Sequence, residues 1–319
     1  MAICMEEQAP RQKKSNFHLA GIIPVASLPM DFNLPWHDSL IPLAPNYLAV
    51  ERSVYECAMA GCETIWLICH KETTPLIRHR LGDWILDPTK NYSILRKFYK
   101  RAEEHVKRIP IYYVPIHPKD RNVRDGLTWS IIYGYKRAYH ISRNFSRWAA
   151  PSKYFVSFPH GVYSPAVVKD LRHIISSKQS IFLSTPDGKT AKDGERLAFS
   201  FDTFEYSKYR QSFLEKEKRR WKSGKWENGK FVGEELPAEE KFNGASISLD
   251  DFLEKAIVTP QNIMPVKWYY DISSWQGYCQ FLGSDEKKYL KRPKFGFRYH
   301  EFNPFAHDNP VLDKDDDRS

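Results

Sequence analysis

Short apolar runs alternate with stretches of helical period through the first 185 residues, and that alternation narrows the fold more than any other feature of the chain. Phe17–Ala26 (FHLAGIIPVA) is long enough for a buried strand. A proline-rich loop, Ser27–Pro45, leads to Asn46–Ala60. There Leu48, Val50, Val54, Cys57 and Ala58 recur at helical spacing, with Asn46 at the N-cap and Gly61 as the stop. Thr64–Cys69 (TIWLIC) is β-branched and apolar, which suits a buried strand. Strand, helix, glycine and strand in this order make a parallel βαβ unit. The pattern repeats, with helices predicted over Asn91–Lys107, Leu127–Ser142 and Pro165–Ile175. The matching strands are Pro110–Ile116, Tyr154–Phe158 and Ser180–Ser184. The fold class expected is therefore α/β, a mostly parallel sheet with helices on both faces.

The texture changes after residue 195. Leu197–Phe204 reads as a strand, Leu249–Lys255 as a short helix capped by Ser248, Lys267–Ile272 as a strand and Trp275–Leu282 as a helix. The domain organisation expected is a disordered 1–16, an α/β domain over 17–206, a charged inserted arm over 207–245, a C-terminal part over 246–305 that completes the sheet, and a mobile tail over 306–319. In the arm, Trp221 and Trp226 are interleaved with cations. Such a segment either grips single-stranded nucleic acid or forms a hairpin that turns at Asn228-Gly229; the hairpin is the favoured reading.

Composition removes other classes. With 42% hydrophobic and 27% charged residues the chain can build a core, and no apolar run reaches the length of a membrane helix. Five scattered cysteines, without a C-x-x-C pair, argue against a disulfide framework or a zinc knuckle, and the expected compartment is the cytoplasm. The net charge of +9 is unevenly spread. Residues 90–147 carry a net +10, 207–231 a net +6, and 232–254 a net −6. The basic bands suit phosphate, in a nucleotide or a nucleic-acid backbone, or the adjacent blocks offset one another.

Ligands of open α/β sheets sit at the carboxyl ends of the strands. Four loops follow such ends. In the first, His37-Asp38-Ser39-Leu40-Ile41-Pro42-Leu43 runs toward the helix that ends at Ala60-Gly61, followed by Thr64–Ile68. In the second, Arg121 and Arg124 precede Gly126-Leu127-Thr128, at a predicted helix start. The third is Pro159-His160-Gly161, and the fourth is Tyr269-Tyr270-Asp271-Ile272-Ser273. On the residues alone, Gly126 is a site for close backbone approach or an ordinary turn, His160 is a functional or a structural imidazole, and Asp271 is a carboxylate ligand or a helix cap.

Together these passages resemble the sugar-1-phosphate nucleotidyltransferases of the GT-A-like (nucleotide-diphospho-sugar transferase) fold. The resemblance implies that Ala20, Gly21, Gly126, Leu127 and Thr128 line a nucleotide, with Arg121 and Arg124 beside its phosphates. It implies that Asp271 and His160 hold a divalent metal, magnesium or manganese, and that His160, Asp271 and Arg124 are catalytic. The partners implied are a nucleoside triphosphate and a sugar phosphate, or a nucleotide sugar. Three positions depart from the family pattern. Ile22-Ile23-Pro24 stand where the family has its glycine-rich G-x-G-T-R loop, His37-Asp38 replace the Pro-Lys before L-x-P, and His160 replaces the first metal-binding aspartate. The departures imply altered or lost activity. The alternatives are a glycosyltransferase that consumes a nucleotide sugar, or a non-catalytic protein that binds nucleic acid through 90–147 and 207–231.

Overall fold

A computed structural model describes residues 17–26, 37–89, 107–124, 126–146, 149–177, 179–217, 221–235, 244 and 247–293. The expectations for 1–16, 27–36, 91–106 and 306–319 lie outside these residues.

The chain opens with β1 (Leu19–Pro24). A hairpin of β2 (Pro42–Ala44) and β3 (Tyr47–Leu48) then leads into α1 (Ala49–Ala60). Asn46 was expected to cap that helix. It instead turns the hairpin in the left-handed region, with φ 56°, and Leu48 occupies the N-cap, its N–H donating to the Glu51 carboxylate at 2.9 Å. Gly61 ends the helix in the left-handed conformation expected of it, with φ 94°. Then come β4 (Thr64–Cys69), α2 (Thr74–Leu81), β5 (Trp84–Leu86), β6 (Arg108–Pro115), α3 (Pro118–Arg124), α4 (Leu127–Phe145), β7 (Lys153–Val156), β8 (Gly161–Val162), α5 (Ala166–Asp170), α6 (Arg172–Ile175), β9 (Phe182–Ser184) and β10 (Phe199–Asp202).

Beyond β10 the expected charged arm begins instead as a helix, α7 (Thr203–Glu217). Its Tyr206, Tyr209 and Phe213 are buried on one side, which ties it to the core. Only then comes a hairpin, β11 (Trp221–Glu227) with β12 (Lys230–Glu235), turning at Asn228-Gly229 as expected with φ 49° and 75°. The last elements are α8 (Leu249–Phe252), β13 (Ile263–Pro265), β14 (Tyr270–Asp271) and α9 (Trp275–Gly283). The basic and acidic blocks of 207–254 offset each other across α7 and α8. Lys216 pairs with Asp251 and Glu254, and Lys255 with Glu215.

Eight strands form one sheet in the order β13-β9-β10-β7-β1-β4-β6-β5. The pairs β7/β1, β1/β4, β4/β6 and β13/β9 are parallel, while β10 and β5 run against their neighbours. This is the mostly parallel α/β sheet that the alternation implies. Its central strands β7, β1 and β4 are buried on both faces, as the two-residue side-chain period shows. On β1, Leu19 and Ile23 face one core with α1, while Ala20 and Ile22 face the other with α4 and α7. On β4, Ile65 and Leu67 take the first face, Trp66 and Ile68 the second.

Candidate functional site

The carboxyl ends of β1, β4, β6, β7, β9 and β13 share one edge of the sheet, and the chemistry-bearing side chains gather there. His70 follows β4 directly. Arg121, on α3 after β6, donates from Nε to His70 Nδ1 at 3.3 Å and forms a two-armed pair with the Glu72 carboxylate. The guanidinium holds the exposed Glu72 carboxyl well below its ordinary range. Loops from two adjacent strands thus fix one arginine at the rim.

His37 and His160 lie deeper. His37 Nδ1 bonds Ser39 Oγ at 2.8 Å and accepts from the Ser39 N–H at 3.2 Å. Burial, with His70 nearby, pulls its imidazole down to about 4. His160 is 1% exposed, and burial followed by the charge of Arg196 pulls it down to about 3. Both rings are therefore neutral near pH 7. The His160 ring bonds the Asp38 backbone, and its Nε2 is buried with no hydrogen-bond partner.

Beneath His160 lies a buried ionic network. Arg52 and Glu56, one turn apart on α1, pair at 2.8 Å, and both side chains are fully buried. Arg52 Nη2 donates to the Phe158 carbonyl at 2.6 Å. Ser157 Oγ donates to Glu56 at 2.7 Å, and the Tyr163 hydroxyl also donates to it. Burial pushes the Glu56 carboxyl up against the pull of Arg52. This network holds the turn from β7 into β8, and with it His160.

β8 pairs with β14, setting Gly161 opposite Asp271. The Ile272 N–H donates to the His160 carbonyl at 2.9 Å, so the third and fourth loops meet. A third segment joins them. Arg196, just before β10, donates from Nη1 to both carboxylate oxygens of Asp271, at 2.8 and 2.9 Å. Its own N–H donates to the Tyr269 hydroxyl at 3.0 Å. The approach is close enough that a Cβ on Gly161 would lie 1.7 Å from the Arg196 carbonyl oxygen. A cleft of about 420 Å³ opens beside this pair, lined by Thr185, Asp187, Lys189, Glu195, Trp268 and Tyr269.

Not all of the expected residues come together. Ala20 and Gly21 sit at the start of β1, fully inside the sheet, where a Cβ on Gly21 would meet Cys57 Sγ at 2.9 Å. They let α1 approach the sheet and do not reach its carboxyl edge. Gly126 caps α4, but Leu127 packs into the core and Thr128 Oγ1 donates to the Ile247 carbonyl at 3.3 Å. Arg124 lies over the Trp129 ring at 4.7 Å and pairs with Asp120 at 3.6 Å, so it braces α3 against α4. His37, His70, Glu72 and Arg196 were not singled out as site residues. Position just past a strand end was the available signal for His70. Arg196 had none, because its partner is 75 residues away in sequence.

The expected metal pair does not fit magnesium or manganese. Both Asp271 oxygens are engaged by Arg196, Oδ1 also accepts from the Ser273 N–H at 2.9 Å, and the other expected ligand is an imidazole, a poor donor for a hard cation. Among the described residues no three His, Cys, Asp or Glu side chains converge as a metal site. No helix among them is long and apolar enough to cross a membrane.

No family model and no curated protein matches the chain. Among solved structures, it is similar to a UDP-glucose pyrophosphorylase complexed with UDP-glucose, at 12% identity and a TM-score of 0.48, over 85% of this chain and 99% of that one. It is likewise similar to the UDP-glucose pyrophosphorylase from Acinetobacter baumanii, at 10% identity and a TM-score of 0.45, over 83% of this chain and 92% of that one. At these scores the architecture rests on the chain's own strand order: an α/β protein with a mostly parallel sheet and a polar cluster at its carboxyl edge.

Proposed function

We propose that this chain is a nucleotidyltransferase-like protein that binds a nucleoside triphosphate or nucleotide sugar along the carboxyl edge of its sheet. The observation that carries this reading is the pair of arginines at that edge, each held by a carboxylate: Arg121 by Glu72 after β4 and β6, and Arg196 by Asp271 beside β7. Carboxylate-anchored guanidinium groups are pre-set to meet phosphate oxygens. Neighbouring strands lie about 4.8 Å apart, so the β7 and β6 ends are roughly 14 Å apart. That span suits an extended nucleotide better than a lone phosphate.

The reaction in this reading is transfer of a nucleotidyl group to a sugar 1-phosphate. A sugar-phosphate oxygen forms a bond to the α-phosphorus of the triphosphate, and the bond to pyrophosphate breaks. The two arginines offset the charge that builds on the phosphate oxygens. Neutral His37 and His160 add no like charge beside them. The cleft beside Trp268 and Glu195 offers room for the group attached to the phosphates. A thermal-shift panel of nucleoside triphosphates and nucleotide sugars tests the reading. At a hundred times its dissociation constant a bound ligand adds about 2.7 kcal/mol of stability. A shift with one base over the others supports the proposal, and a flat panel at millimolar ligand overturns it.

A further inference from the structure

The resembled family places a divalent cation where His160 and Asp271 stand here. In this chain that position already contains a cation. The Arg196 guanidinium lies on Asp271, its main-chain N–H is tied to Tyr269, and its carbonyl is packed against Gly161. We propose that Arg196 replaces the divalent metal and that the site grips phosphate or diphosphate groups without a metal ion; this rests on the nucleotide reading above.

The geometry of the arginine supports the proposal. Only Nη1 is spent on Asp271. Among the described residues Nε and Nη2 donate to nothing, and the side chain keeps 21% of its surface exposed. These two groups form the side edge of the guanidinium, the fork that meets two phosphate oxygens at once. Asp271 thus fixes the direction of the fork, as a second partner fixes a metal ligand. The fork carries one charge rather than two, but it is covalently resident and pays little ordering entropy on binding. Glu195, next to Arg196 in the chain, and Tyr269, which accepts from the Arg196 N–H, line the neighbouring cleft.

Calorimetry with inorganic pyrophosphate on the full chain, in EDTA at low salt, tests this. Binding is expected in EDTA, unchanged within about twofold when magnesium replaces it. Arg196→Gln is expected to weaken it by about tenfold or more, the size of a lost charge-assisted pair. Arg196→Lys keeps the charge without the fork and is expected to fall between the two. Asp271→Asn keeps the guanidinium and loses its anchor, so it weakens pyrophosphate with folding retained. Manganese alone, followed by electron paramagnetic resonance, is expected to bind no tighter than millimolar. The proposal is overturned if pyrophosphate needs a metal, if Arg196→Gln binds as the native chain does, or if manganese binds tightly and Asp271→Asn abolishes it. Pyrophosphate binding lost in Arg196→Gln beside a flat nucleotide panel upholds the arginine and removes the nucleotide reading. A nucleotide shift that requires manganese does the opposite.

Discussion

Arg52 and Arg121 each pair with a glutamate near the same edge of the sheet, and burial separates their roles. Arg52 and Glu56 are wholly inside, where Phe158 accepts from Arg52 Nη2, Ser157 and Tyr163 donate to Glu56, and Arg52 Nε is buried with no hydrogen-bond partner. Arg121 and Glu72 are both exposed by more than a third. Water screens the second pair, so it adds little to stability. The first pair is closed to solvent, and removal of either partner would strand the other's charge where nothing solvates it. Arg196 and Asp271 lie between these extremes, at 21% and 37% exposure. They are anchored enough to aim and open enough to bind.

The sharpest way to break the comparison is to truncate the buried pair. Arg52→Ala or Glu56→Ala is expected to cost about 3–5 kcal/mol in denaturant unfolding, because each leaves its partner buried and unpaired. A loss near zero would mean that the buried charges are compensated without each other. Next comes Gly161→Ala. Its methyl group would overlap the Arg196 carbonyl, so β8 or the 196 segment must shift. A cost of about 1–3 kcal/mol is expected, with weakened pyrophosphate binding in the fraction that stays folded.

Acid offers a third test. His37 and His160 have folded values near 4 and 3, against an ordinary 6.5. The unfolded chain therefore takes up protons below about pH 6.5 that the folded chain refuses. Stability from these rings is present in full above that pH and falls as pH drops toward 4 and then 3. A His160→Gln variant is expected to show a shallower fall in Tm between pH 6.5 and 4 than the native chain; equal slopes would count against a buried neutral ring. The smallest effect is expected at the rim. Glu72→Gln should leave Tm unchanged while weakening nucleotide binding a few fold, through loss of the hold on Arg121. A marked fall in Tm would place that pair with the buried one.

The same contrast explains what could be read from the sequence. β1, α1 and β4 are legible because burial on both faces of the sheet writes itself as apolar runs, and Gly61 marks the helix end. Asn46 misled because an asparagine suits both an N-cap and a left-handed turn, and the pairing of β2 with β3 decided between them. α7 was hidden by its charges, although Tyr206, Tyr209 and Phe213 stand at helical spacing. At the site, the meeting of His160 with Asp271 follows from strand ends and resemblance. The arginine that engages Asp271 comes from a separate loop and carries no motif. Ala20-Gly21 precede the carboxyl edge because β1 runs on to Pro24.

The central claim is that this carboxyl edge is the ligand site. Hydrogen exchange read by mass spectrometry, with and without the nucleotide that gives the largest thermal shift, tests it most directly. Protection is expected in 37–41, 70–74, 117–124, 157–162 and 194–198, with the β11–β12 hairpin unchanged. Protection confined to the hairpin, or spread along the opposite edge of the sheet, would contradict the account.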